Sequence, residues 1–371
     1  MSASTRSGRP DRAELVGCWL LSAALLATSF GVVWDVQWHD DVGPDTFFTA
    51  PHMLIYAAPA LAGLTGVVMV LMRTGVWRAD PDGVAATGRS VTVLRVFRAP
   101  IGFLVAGVGA AVELIYGMID LWWHTVYGFD VTLNSPPHVG LSFGGLTICV
   151  GTALAFGALG DRTVSRWGVA LSVATSLTSM MFALFWAQPF EVSMTAVVLF
   201  ALLMVAGVTR ATGWVTLTGL IFGALHAIDW FFAPWITRVY AGSLGMSLRD
   251  NISGEPTLAS LYPMVLPLIA VLVEVALVVL RRRGVAPRIA IPAVSAVAAA
   301  AMVLLYTPQL GDGFSLPTIV AATVLGAAAG PLGWSAAIAL RALGPGAGVS
   351  SPAPAAPAPA PESGLRPAME V

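Results

Sequence analysis

Four of the five histidines in this 371-residue chain fall in two stretches that are near-copies of one another. The first is Trp34-Asp35-Val36-Gln37-Trp38-His39, followed by an acidic loop and Pro51-His52. The second is Ile119-Asp120-Leu121-Trp122-Trp123-His124, followed by a similar loop and Pro137-His138. Each reads Asp-x3-His, then Pro-His. The loops match as well: Gly43 and Gly128 stand four residues past the first His, and Asp45 and Asp130 stand six past it. Imidazole nitrogens and carboxylate oxygens are the ligands that transition metals take. A set of three such ligands leaves coordination positions open for a further ligand.

Helix geometry explains how each set could close on a metal. Asp and His four apart share one helix face, about one turn apart. Asp35 and His39 therefore project together from the end of a first helix, and His52 starts the next one. A short loop makes those helices antiparallel neighbours, so His52 reaches the level of the first pair. Asp120, His124 and His138 repeat the geometry one hairpin later. A His near a helix N-terminus feels the positive end of the dipole, which favours the neutral, metal-binding ring.

Other polar groups could serve the same site. Glu113, Asp120 and His124 lie at i, i+7 and i+11, one stripe, with Gly117 leaving room beside them. A carboxylate at membrane depth is costly and marks function by default. Glu113 is read as a further ligand, a partner that orients a ligand, or a proton relay. His226 and Asp229 share a helix face and are read as a third contribution to the site, or as a polar pair sealing helix packing. Trp34, Trp38, Trp122 and Trp123 read as an interfacial aromatic belt. Cys18 and Cys149 sit far apart in apolar runs and read as small buried hydrophobes. Glu274 reads as a partner for Arg281-Arg282-Arg283 or as a step on a proton or substrate path.

The elements that must position these groups are membrane helices. Mean hydropathy is +0.81, with 57% hydrophobic and 11% charged residues, against roughly 25% charged in a soluble domain. The expected fold class is all-α: a polytopic integral membrane helical bundle of about ten transmembrane helices. The spans are expected near 14–39, 52–72, 99–124, 138–159, 166–187, 191–209, 213–233, 258–280, 288–306 and 316–340. All 19 basic residues are arginine, which excludes lysine Schiff-base chemistry. Arginines gather at the N-terminus and near 73–98, 160–166, 210, 281–288 and 341, while the alternate loops 40–51, 125–137, 188–190 and 307–315 hold none and the 234–257 loop holds Arg238 and Arg249 beside Asp250 and Glu255. The positive-inside rule then puts both termini in the cytoplasm of a multi-pass cell (cytoplasmic) membrane protein, with both Asp/His loops near the extracytoplasmic face. The domain division is a cytoplasmic segment 1–13, a transmembrane domain 14–342 with metal-site hairpins at 30–145, and a disordered Pro/Ala-rich tail at 343–371. The first apolar run ends in Trp34-Asp35 rather than small residues, unlike a cleaved signal. The lipid bilayer is the expected partner; nucleic acid is not.

These spacings resemble those of one membrane subunit of the copper membrane monooxygenases, the particulate methane and ammonia monooxygenases. One site of that subunit reads Asp-x3-His-x12-His, as Asp35, His39 and His52 do here. A second reads Asn-x3-His-x13-His; Asp120, His124 and His138 have that spacing, with Asp in place of Asn. Phe48-Thr49-Ala50-Pro51-His52 is similar to the segment before the third ligand of the first site. The match covers about residues 30–145. The chain departs from the family in carrying more helices and no soluble copper-binding domain. The resemblance implies copper, oxygen chemistry, and partners in the form of other membrane subunits and a copper-binding soluble domain.

The leading expectation is therefore a copper-dependent monooxygenase, or its metal-bearing subunit, oxidising a small apolar substrate with O2. Zinc and iron are the alternative metals. A metal or small-molecule transporter is the alternative from another class, since internal repeats are common among transporters. The ligands' place near one face, rather than at the midplane, speaks against it. A metallochaperone or assembly factor is a further alternative. Haem ligation fits poorly with an Asp at fixed spacing before each first His.

Overall fold

The computed structural model describes residues 12–43, 45–75, 90–128, 135–184, 189–250, 252, 254–311 and 315–342. Ten long α-helices occur among the described residues. They are α1 (Arg12–Asp41), α2 (Ala50–Thr74), α3 (Ile101–Tyr127), α4 (Pro136–Ala158), α5 (Thr163–Leu184), α6 (Phe190–Thr209), α7 (Trp214–Ser243), α8 (Leu266–Arg282), α9 (Pro287–Tyr306) and α10 (Leu316–Arg341). Nine of these are long and apolar enough to cross a membrane, and α5 is embedded beside α4, α1 and α7. The chain is thus a polytopic helical bundle. The segments 1–11 and 343–371, and with them most of the expected N-terminal segment and the whole expected tail, lie outside the described residues.

The helices form two neighbourhoods. The first four pack in sequence, α1 on α2, α2 on α3, and α3 most closely of all on α4. This group carries both Asp/His hairpins. The second gathers α6, α9 and α10, while α7 and α8 sit between the two.

Between apolar helices in lipid, close backbone approach and hydrogen bonds supply much of the attraction. Gly144 shows the first effect: a Cβ built there would stand 2.7 Å from the Glu113 backbone nitrogen. Hydroxyl pairs show the second, with Ser29 Oγ 2.7 Å from Thr178 Oγ1 across α1 and α5.

Several features depart from the sequence reading. A two-stranded antiparallel hairpin, β1 (Ser90–Val93) and β2 (Phe97–Pro100), precedes α3. Its turn places Leu94 and Arg95 at φ 51° and 60°, a turn with two left-handed residues that Asn-Gly normally signals. Next, α7 was expected to end near 233, before Pro234, but it runs on to Ser243. The extension is held by aromatic packing, with Tyr240 5.6 Å from Trp34 and 5.0 Å from Trp38 between ring centroids. Trp38 is only 1% exposed, so it is a packing residue, whereas Trp122 is 55% exposed, as a belt residue would be.

Another is Glu274 of α8. It reaches no arginine among the described residues; its two carboxylate oxygens accept the backbone N–H groups of Gly213 and Thr216. Glu274 therefore caps the N-terminus of α7, where a carboxylate meets the positive end of the helix dipole.

Candidate metal centre

Each Asp/His hairpin is built the same way. Gly43 and Gly128 follow the first helix of their pair with φ of 113° and 87°, conformations that only glycine adopts without strain. The Gly43 N–H is 3.1 Å from the Trp38 carbonyl, and the Gly128 N–H is 3.0 Å from the His124 carbonyl. A Cβ at Gly43 would also stand 2.5 Å from Nη2 of Arg249. The next helix starts after Thr49 in one hairpin and Ser135 in the other, with proline in its first turn. Proline is suited there, since its missing N–H has no partner at a helix start. His52 and His138 therefore occupy the same position, the third residue of their helices.

The first set closes into a cluster. Asp35 Oδ1 lies 3.9 Å from His39 Nε2 and 3.1 Å from His52 Nε2. Asp45 Oδ2 lies 3.5 Å from His39 Nε2 and 3.2 Å from His52 Nε2. One ligand atom from each of Asp35, His39, Asp45 and His52 lies within 4.8 Å of the other three, close enough for all four to hold one metal ion. Asp45 was not among the ligands expected from the sequence. Its signal there was the offset shared with Asp130, which lies outside the described residues.

The protonation pattern fits a cation. His52 Nδ1 stands 3.0 Å from the Thr46 carbonyl. A carbonyl only accepts, so Nδ1 carries a proton and Nε2 is directed at Asp35 and Asp45. Holding the distal ring nitrogen in this way fixes the tautomer of a metal-binding histidine. Asp35 Oδ1 and Asp45 Oδ2 are buried and stand 3.1 Å and 3.2 Å from His52 Nε2. Buried acceptors facing one another repel, and a shared proton or a bound cation relieves the repulsion. Asp45 lies in the connection, outside the helices. Burial pushes its carboxyl above the ordinary carboxylate range, His52 and His39 oppose that push, and Asp35 adds to it.

The second set is more open. Asp120 Oδ2 is 3.4 Å from His124 Nε2, and Asp120 Oδ1 is 4.0 Å from His138 Nε2. Ser135 Oγ sits 3.0 Å from His138 Nδ1, so this ring too is held through its distal nitrogen. The two sets are neighbours. Asp35 lies within electrostatic reach of His138, and Asp45 within reach of His124.

Both sets border one cavity of about 100 Å3, lined by Asp35, His52, Tyr56, Glu113, Asp120 and His138, with apolar walls beyond. Glu113 is buried, and its Oε2 has no hydrogen-bond partner among the described residues. Tyr56, one turn past His52, was not anticipated from the sequence. Its ring stacks on Phe47 at 4.7 Å and lies over Gly117, where a Cβ would stand 2.7 Å from the ring. Cys149 also lines this cavity.

His226 and Asp229 do not border it. His226 Nε2 is 3.0 Å from the Ala259 carbonyl, and the ring packs 5.5 Å from that of Tyr262. Asp229 is fully buried, with neither carboxylate oxygen hydrogen-bonded among the described residues. His226 thus makes a separate polar contact beneath the turn at Ala259–Leu261, with Asp229 buried one turn further along α7.

Searches against protein-family models, curated proteins and solved structures return no match to this chain.

Proposed function

We propose that the chain is an integral-membrane metalloprotein whose Asp35, His39, Asp45 and His52 hold a copper ion, and that it oxidises a small apolar substrate with O2, alone or within a larger complex. The observation that carries the reading is the convergence of two imidazole nitrogens and two carboxylate oxygens within 4.8 Å of one another, with Asp35 and His52 also lining a cavity. That donor set suits copper, zinc or iron; the ligand spacing in the sequence favours copper. The metal would supply a site for O2 and electron transfer. The protein's own part is to fix the ring nitrogens through Thr46 and Ser135 and to wall the cavity with apolar side chains. The alternation of arginines between loops supports a cell-membrane protein with the cluster facing outward.

Metal analysis of the protein purified in detergent, combined with electron paramagnetic resonance, tests this. The expected result is about one or two coppers per chain, with nitrogen hyperfine structure, lost from Asp35→Asn and His52→Ala variants. Copper retained in both variants, zinc alone, or a haem absorption band would overturn it. Metal-dependent uptake into proteoliposomes would instead favour a transporter.

A further inference from the structure

A second cavity, of about 450 Å3, opens among the ends of α6, α8 and α10 and the starts of α7 and α9. Arg210 and Arg281 line it, and both are exposed. Neither forms an ion pair among the described residues. Arg341 stands within electrostatic reach of Arg210, and its Nη1 is buried with no hydrogen-bond partner among the described residues. Three like charges thus gather without a carboxylate counterion among the described residues. The one carboxylate in the wall is Glu274, and both of its oxygens are already engaged by the start of α7. Arg210 also closes α6 with φ 48°, a conformation more usual for glycine or asparagine. Apart from Thr212 the rest of the wall is apolar, including Val215, Leu277, Ile291 and Trp334.

We propose that this pocket binds an anionic phospholipid, its headgroup phosphate held by Arg210 and Arg281 with Arg341 nearby, and an acyl chain laid along the apolar wall. Guanidinium groups match phosphate through paired N–H donors. Basic pockets between membrane helices recognise anionic headgroups in this way. The opening lies where helices end, at the depth of the headgroups, so a lipid reaches it from the bilayer with its chain already in hydrocarbon. A free inorganic anion would use the arginines and leave the apolar wall exposed.

Native mass spectrometry of the full chain in detergent tests this, with phosphatidylglycerol, phosphatidylcholine and inorganic phosphate as separate additions. Phosphatidylglycerol should bind roughly tenfold or more tighter than phosphatidylcholine, the size expected of two surface arginines. Inorganic phosphate should not displace it. The preference should vanish in R210Q/R281Q and persist in R166Q, since Arg166 is paired with Asp161 at 2.7 Å elsewhere. If the double variant does not fold, R281Q alone, at an exposed helix end, should weaken the preference. Equal binding of the two lipids, an unchanged preference in the arginine variants, or displacement by inorganic phosphate would overturn the proposal.

Discussion

Asp45 Oδ2 lies 3.2 Å from His52 Nε2, so a residue of the connecting loop folds back between the two helices that it joins. That contact turns a three-residue pattern into a four-residue cluster. It also places a buried carboxylate opposite an imidazole nitrogen, an arrangement that a proton or a cation between them stabilises.

Removing this oxygen tests whether Asp45 is a ligand. Asp45→Asn keeps the shape of the side chain and removes its charge. Metal affinity should fall about 100-fold, at least the upper range found when a group that merely supports a ligand is lost. Competition with a chromophoric chelator measures it. Affinity equal to that of the unaltered protein would remove Asp45 from the ligand set.

The pH dependence has a definite sign. Burial raises the Asp45 carboxyl above its ordinary range despite His52 and His39. Between the unfolded and folded values the folded state binds more protons, so metal-free stability falls as pH rises through that window. Metal binding needs the carboxylate, so affinity rises over the same window. Thermal unfolding of the metal-free protein from about pH 4 upward, near the ordinary carboxylate value, should show the decline, and Asp45→Asn should flatten it. A metal-free protein that gains stability across that window would contradict the assignment.

The repeat exposed Asp35, His39, His52, Asp120, His124 and His138 because helical spacing and a proline-marked helix start are local properties. Asp45 carried only an offset shared with Asp130, and its approach to His52 depends on how the loop folds back. Tyr56 reaches the cavity only because α2 crosses α3 at Gly117, and a crossing point is not written in either helix alone. His226 and Asp229 share a face, as their spacing requires, but the rotation of α7 about its axis turns that face toward Tyr262. Glu274 serves a helix start 61 residues earlier in the chain, a pairing with no local sign. The hairpin at 90–100 was hidden because Leu94 and Arg95 are not the residues that normally mark its turn.

Glu274 should matter for stability and not for metal. Glu274→Ala removes two charge-assisted hydrogen bonds from the start of α7. The expected cost is about 2 kcal/mol, within the range for loss of a helix cap and of hydrogen bonds to a charged group. Glu274→Gln retains one acceptor oxygen and should cost less. Chemical unfolding in detergent reads the difference, while metal content should match that of the unaltered protein. An unchanged unfolding midpoint in Glu274→Ala would show that α7 does not depend on this cap.

Gly144 links the packing of the bundle to the cavity. A methyl group there meets the Glu113 backbone nitrogen at 2.7 Å and the Glu113 Cβ at 2.8 Å. Backbone cannot swing aside as a side chain can, so Gly144→Ala must push α4 away from α3. Overpacking of this kind costs about 1–3 kcal/mol. The displacement also moves His138 and Glu113, which border the cavity from opposite helices. Gly144→Ala should therefore lower the unfolding midpoint and alter the spectrum of bound metal together. Gly157, which has open space around its Cβ position, is the comparison site on the same helix. Gly157→Ala should leave both readings unchanged, and equal effects at the two positions would rule out close packing at Gly144 as the cause.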